Sequence, residues 1–102
     1  MKFLFEIKIP TEIGNKKLTE GSLLKDIPNI LNEVHPEAVY FAVSGGKRTI
    51  YMIIEMENSE KSPEITEQFW QNLQADVYVN LVLDVNQFKR AGLGIEKVMK
   101  NK

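Results

Sequence analysis

The chain has 102 residues, 43% of them hydrophobic and 26% charged, and no cysteine. That length suits one hydrophobic core, so residues 1–102 are read as a single domain, and the missing thiols exclude disulfides, thiolate nucleophiles and Cys-type zinc sites. Thirteen basic against fourteen acidic residues leave a formal net charge of −1, which argues against nucleic acid as a partner because phosphate binding draws on a basic excess.

The opening alternates. Phe3, Phe5, Ile7 and Ile9 share one face and Leu4, Glu6 and Lys8 the other, which is the period of a strand with one dry and one mixed face. Glu6 and Lys8 also break up what could otherwise resemble a secretory leader, and no small-residue cleavage site follows. No apolar run approaches the roughly 20 residues that span a bilayer, so no membrane is expected and a cytoplasmic location is the simplest expectation. Pro10 ends the strand.

From Asn15 to Val34 the spacing becomes helical, with Leu23, Ile27, Ile30, Leu31 and Val34 forming a stripe. Gly21 and Pro28 inside this segment predict a kink or two shorter helices. His35-Pro36 closes it. Glu37 to Val43 reads as a second strand, Ser44-Gly45-Gly46-Lys47 as a hairpin turn and Arg48 to Met56 as the answering strand. Glu57 to Ser62 is a polar loop, and Pro63 suits the first turn of a helix striped by Ile65, Phe69 and Leu73. Val77, Val79, Leu81 and Leu83 mark a fourth strand. Asp84 or Asn86 can cap a last helix, with Phe88, Ala91, Ile95 and Val98 or Met99 expected to face inward.

The order β-α-β-β-α-β-α predicts an α+β, ferredoxin-like fold with an extra C-terminal helix, its four-stranded antiparallel sheet covered by helices on one face. Assigning each strand's more apolar register to the covered face puts Phe3, Phe5, Ile7, Ile9, Ile50, Met52, Ile54, Val77, Val79 and Leu81 beneath the helices. The open face then carries Leu4, Glu6, Lys8, Tyr51, Ile53, Glu55, Tyr78, Asn80 and Val82, with Tyr40 between Ala38 and Ala42. Such a surface is too apolar for solvent and too polar for a dry core, so the expectation is a homodimer closing two sheets around a partly polar interior.

Several stretches carry a resemblance: Ile9-Pro10-Thr11-Glu12 with Gly14-Asn15, Pro36-Glu37-Ala38 with Tyr40-Phe41, Gly46-Lys47-Arg48-Thr49, Phe69-Trp70 and Lys89-Arg90-Ala91-Gly92. In these the chain resembles a group of short bacterial proteins without an assigned activity. In element order it resembles the dimeric α+β barrel superfamily, which includes antibiotic-biosynthesis monooxygenase-like and muconolactone isomerase-like proteins. The resemblance implies a fold and a dimer, and no reaction.

Candidate chemistries are sparse. His35 is the sole histidine, so multi-histidine metal sites lack their ligands, and a lone histidine at a helix end reads as a helix-dipole or surface residue. Glu6 with Glu55 could serve as acid and base, but Lys8 makes an ion pair the blander reading. Ser44-Gly45-Gly46 is not a nucleophile turn, and Gly45-Gly46-Lys47 lacks the glycine spacing of a phosphate loop. Lys47 to Ile53 lacks the aromatic run of an RNA-recognition strand. The haem-degrading members of the barrel superfamily use an Asn, a Trp and a His. Trp70 is present, but Glu6 and Lys8 hold the polar first-strand positions and no helix interior carries a His, so that site does not carry over. No cofactor and no metal is expected. The leading expectation is an interior lined by Glu6, Tyr40, Tyr51, Tyr78, Asn80 and Arg48 that binds a small, partly apolar molecule. Two alternatives stand beside it: a cofactor-free monooxygenase or isomerase in the same cavity, and a structural or regulatory dimer without ligand.

Overall fold

The computed structural model describes residues 1–101. Strands β1 (Lys2–Ile9), β2 (Ala38–Ser44), β3 (Lys47–Glu55) and β4 (Asp76–Val82) form one sheet in the order β2-β3-β1-β4, every neighbouring pair antiparallel. Helices α1 (Thr11–Glu20) and α2 (Leu23–Val34) link β1 to β2, and α3 (Ser62–Leu73) links β3 to β4 after a short 3-10 turn at Ser59–Lys61. Helix α4 (Val85–Lys100) follows β4. This is the α+β, ferredoxin-like architecture with its C-terminal helix.

The two-helix outcome between β1 and β2 has a local cause. Gly21 adopts φ +81°, its N–H donates to the Leu18 carbonyl (3.1 Å) and that of Ser22 to the Lys17 carbonyl (2.9 Å). These bonds satisfy the free carbonyls at the end of α1, and a left-handed residue stops it without the cost a Cβ would add. Pro28, in contrast, sits inside α2 without dividing it. His35 closes α2 in the left-handed region at φ 53°. The Gly45-Gly46 turn has both residues at positive φ, 60° and 77°, the backbone that a two-residue hairpin needs to match strand twist.

The core lies between β1, β3 and the helices. Phe5, Ile7, Met52, Phe69 and Leu73 are fully buried, joined by Phe3, Ile9, Ile50, Ile54, Leu23, Ile30 and Ile65. Each such side chain contributes about 1.5–3 kcal/mol on burial. Opposed residues of an antiparallel pair share a face, so the register settles β2: Val39, Phe41 and Val43 oppose Met52, Ile50 and Arg48 on the helix side.

Three expectations need correction. Val79 and Leu81 lie on the helix side, but the helices do not reach them, and Leu81 is 60% exposed. Arg48 opposes Ile9 and Val43 on the helix side, away from the tyrosines. Phe88, Ile95, Val98 and Met99 do not face inward, and α4 has no buried residue. Asp84 caps α4 through a reciprocal pair, Gln87 N–H to Asp84 Oδ1 (2.8 Å) and Asp84 N–H to Gln87 Oε1 (2.9 Å). Its own backbone is extended (φ −77°, ψ 176°), the usual N-cap conformation, and α4 buries no residue against the sheet. The molecule accordingly measures 60 × 27 × 19 Å with a radius of gyration of 16.9 Å, against about 13 Å for a compact chain of this size.

Candidate functional site

The face without helices carries a polar and aromatic band that crosses all four strands. Tyr40 opposes Tyr51, Tyr51 opposes Glu6 and Glu6 opposes Tyr78, so four side chains stand in one row. With strands about 4.8 Å apart the row spans about 14 Å. One neighbouring row reads Ala38, Ile53, Leu4, Asn80, and the other Ala42, Thr49, Lys8, Asp76. The alanines flank Tyr40 in both rows, leaving its 69%-exposed ring without a bulky neighbour on its own strand.

Five of the six residues expected to line the interior, Glu6, Tyr40, Tyr51, Tyr78 and Asn80, therefore share this face. Glu6 and Lys8 form an ion pair along β1 at 3.5 Å, both side chains roughly three-quarters covered. Glu55 is no partner for Glu6. It belongs to a separate cluster at the far end of β1 and β3, bonded by the Met1 amine (2.8 Å) and by Lys2 (3.3 Å), while Lys2 also reaches Glu37 (2.7 Å). Bonds from the terminal amine and Lys2 hold the Glu55 carboxyl below its ordinary range, and the Glu37 carboxylate, with Glu55, holds the Lys2 ammonium above its own. The β1–β3 register makes Lys2 and Glu55 directly opposed, and that pairing is the signal from which this cluster could have been read.

Arg48 occupies different ground. Its Nη2 donates to Asn15 Oδ1 at 2.8 Å, and its guanidinium lies so close to α1 that a Cβ on Gly14 would sit 2.6 Å from Nη1. Beside it runs an apolar groove of about 440 Å³ between α1, α2 and the β2 edge, bounded by Leu18, Leu24, Ile27, Pro28 and Phe41. Sequence reasoning did not identify this groove. Its signal was the second leucine of Leu23-Leu24, which falls off the inward stripe of α2, together with the apolar alternation Val39-Phe41-Val43.

His35 caps α2 at its C-terminus, and Trp70 stands half-exposed on α3. Among the described residues no group of three or more His, Asp or Glu side chains gathers as a metal site requires, and no helix is long and apolar enough to cross a membrane. The fold and this face define a small α+β protein with an aromatic, partly charged open sheet. Comparison with protein-family profiles, with curated proteins and with solved structures gives no match.

Proposed function

We propose that the protein is a homodimer whose open sheet faces meet and enclose a site for a small, partly apolar molecule. The observation that carries this is the row Tyr40–Tyr51–Glu6–Tyr78 across a face that, among the described residues, no helix covers. A sheet face with three tyrosines, Leu4, Ile53 and Val82 is the kind of apolar surface that marks an interface. Glu6 and Lys8 near its centre oppose a dry contact, because burying charge without full hydrogen bonding costs several kcal/mol. An interior that keeps some space and a few polar groups satisfies both conditions, and it has the make-up of a small-molecule site: apolar walls with phenol, carboxylate and amide groups on rigid strands. The order of the elements, which resembles that of dimeric α+β barrels, favours the same assembly. The ligand favoured by this lining is a compact aromatic or alicyclic molecule with one or two hydrogen-bonding groups.

The test has two parts. Sedimentation equilibrium at micromolar concentration should give twice the chain's 11.7 kDa, and Ile53→Asp should dissociate or unfold the dimer. Titration with the neutral fluorophore N-phenyl-1-naphthylamine should show binding that Tyr40→Phe and Tyr78→Phe weaken while both variants keep the dimer mass. A mass of one chain, or binding unchanged in both variants, overturns the reading.

A further inference from the structure

On the helix side of the sheet, away from the tyrosine row, the groove between α1, α2 and the β2 edge has the make-up of a second site. Its volume of about 440 Å³ falls within the ~300–1,000 Å³ of small-molecule sites. Leu18, Leu24, Ile27, Pro28 and Phe41 form its walls, and Leu24 and Phe41 are 71% and 63% exposed. Polar side chains enter the lining at Arg48 and Thr49 alone. The Thr49 hydroxyl is already committed, donating to the Lys47 carbonyl at 3.0 Å. Arg48 is therefore the one charge in an apolar wall, and no carboxylate of the described residues lines the groove beside it.

Arg48 is held in place without being neutralised. Its Nη2 donates to Asn15 Oδ1 at 2.8 Å, and it packs on Gly14 so closely that a Cβ there would stand 2.6 Å from Nη1. A neutral amide oxygen orients the guanidinium but supplies no countercharge. Among the described residues the ion pairs use other cations: the Met1 amine, Lys2, Lys8 and Lys17. Lys17, which ties α1 to α2, is matched to Asp26 at 2.9 Å. The remaining N–H groups of Arg48 present the planar fork that fits a carboxylate. Leu18 follows Gly14 by one helical turn, about 6 Å along α1, so cation and apolar wall lie within the length of a small amphipathic molecule.

We propose that this groove binds an apolar monocarboxylate, its carboxylate on Arg48 and its hydrocarbon body between Leu18, Leu24, Pro28 and Phe41. One unmatched cation suits one negative charge. Walls without further polar partners suit a body without further polar groups, because each polar group buried unpaired costs affinity. The source is a single dissolved molecule: an anionic membrane surface is met by an apolar helix face flanked by several lysines and arginines, whereas this surface is concave and holds one arginine. The site lies on the opposite side of the sheet from the tyrosine row and stands whether or not two sheets pair.

The test titrates decanoate, decanol and decylammonium, below their micellar concentrations, into nitrogen-15-labelled protein, with calorimetry for affinity and amide shifts for location. Decanoate should saturate at one molecule per chain and bind roughly tenfold tighter than decanol, with decylammonium weakest. Shifts should centre on Gly14, Leu24 and Phe41. Each methylene removed on going to octanoate should weaken binding about fourfold, the equivalent of ~0.8 kcal/mol. Arg48→Gln should abolish the preference for acid over alcohol, and Arg48→Lys should keep part of it. Because Arg48 also braces α1, Leu24→Glu provides an independent variant: at an exposed position it should leave the melting temperature unchanged and weaken decanoate roughly tenfold or more.

Equal affinity for acid and alcohol, or decanoate binding that survives both Arg48→Gln and Leu24→Glu, overturns the site. So does binding to phosphatidylglycerol vesicles without binding of dissolved decanoate. Shifts at Leu24 and Phe41 that grow with protein concentration alone give the groove to a second copy and overturn it as well. Tyr40→Phe and Tyr78→Phe should leave decanoate binding intact. If they weaken it while the groove variants do not, this site is removed and the sheet-face site kept; a mass of one chain with groove binding intact does the reverse.

Discussion

The central strands β1 and β3 and the flanking strands β2 and β4 carry much the same alternation of apolar and other residues, yet their helix-side residues end in different surroundings. Phe5, Ile7, Ile50 and Met52 are at most 1% exposed, whereas Phe41, Val43, Val79 and Leu81 range from 39% to 77%. Alternation decides which side of a sheet a residue faces; the number and placement of helices decide whether anything lies above it. Three helices over four strands cover the middle and leave both margins bare. An uncovered margin is where a second molecule has something to bind.

Core truncation sharpens this contrast most. Phe5→Ala in the centre should lower unfolding free energy by about 3–5 kcal/mol, because the side chain is fully buried and the site cannot collapse. Urea denaturation followed by tryptophan fluorescence of Trp70 measures it. At the margin, Phe41→Ala should cost only about 0.5 kcal/mol or less in dilute, dissociated protein, as befits an exposed site. A loss at the margin that is large and independent of protein concentration would erase the distinction between centre and flank.

Much of this was legible in the residues. The dry face of β1, the hairpin at Gly45-Gly46, the stripe of α3 and a cap at Asp84 or Asn86, of which the structure uses Asp84, follow from local pattern, because each depends on neighbours a few positions away. The order of elements and the antiparallel sheet follow from connection rules. On the candidate site, alternation also grouped Glu6, Tyr51, Tyr78 and Asn80, while β2 needed its partner: only the pairing of Tyr40 with Tyr51 places it, and nothing local distinguishes the Tyr40 side from the Val39-Phe41-Val43 side. Arg48 was misplaced because a single arginine at a strand's start fits either face, and its contact with Asn15 across Gly14 is long-range. The amphipathicity of α4 was readable; that the helix lies off the chain's own sheet was not, since the same stripe would suit packing on that sheet.

Smaller effects test the local devices. Gly46→Ala should destabilise by about 1–2 kcal/mol, because φ +77° places its backbone in the left-handed region where a Cβ is disfavoured; thermal melting compared with Gly92→Ala, a helical glycine with open space around it, isolates the backbone term. Glu55→Gln should have the smallest effect. The carboxyl of Glu55 is held below its ordinary range, so its contribution is present at neutral pH and disappears as pH falls through the folded-state value. The variant should flatten the acid limb of a stability-against-pH curve measured by urea unfolding. It should leave most of the alkaline limb, where the raised Lys2, bonded chiefly to Glu37, keeps its contribution until pH climbs past the folded-state value.

The projecting α4 has a consequence for how the amides of this chain exchange with solvent. A solitary helix of sixteen residues is marginal in water even with good caps, and the Asp84–Gln87 box secures only its first turn. In dissociated chains the N–H groups beyond that turn should therefore trade for deuterium almost as fast as in a free peptide, while those of β1 and β3 wait for global opening. Slow exchange along Ala91–Met99 in concentrated protein would mean that this helix is held by something outside its own chain, and the concentration at which exchange slows would report how tightly.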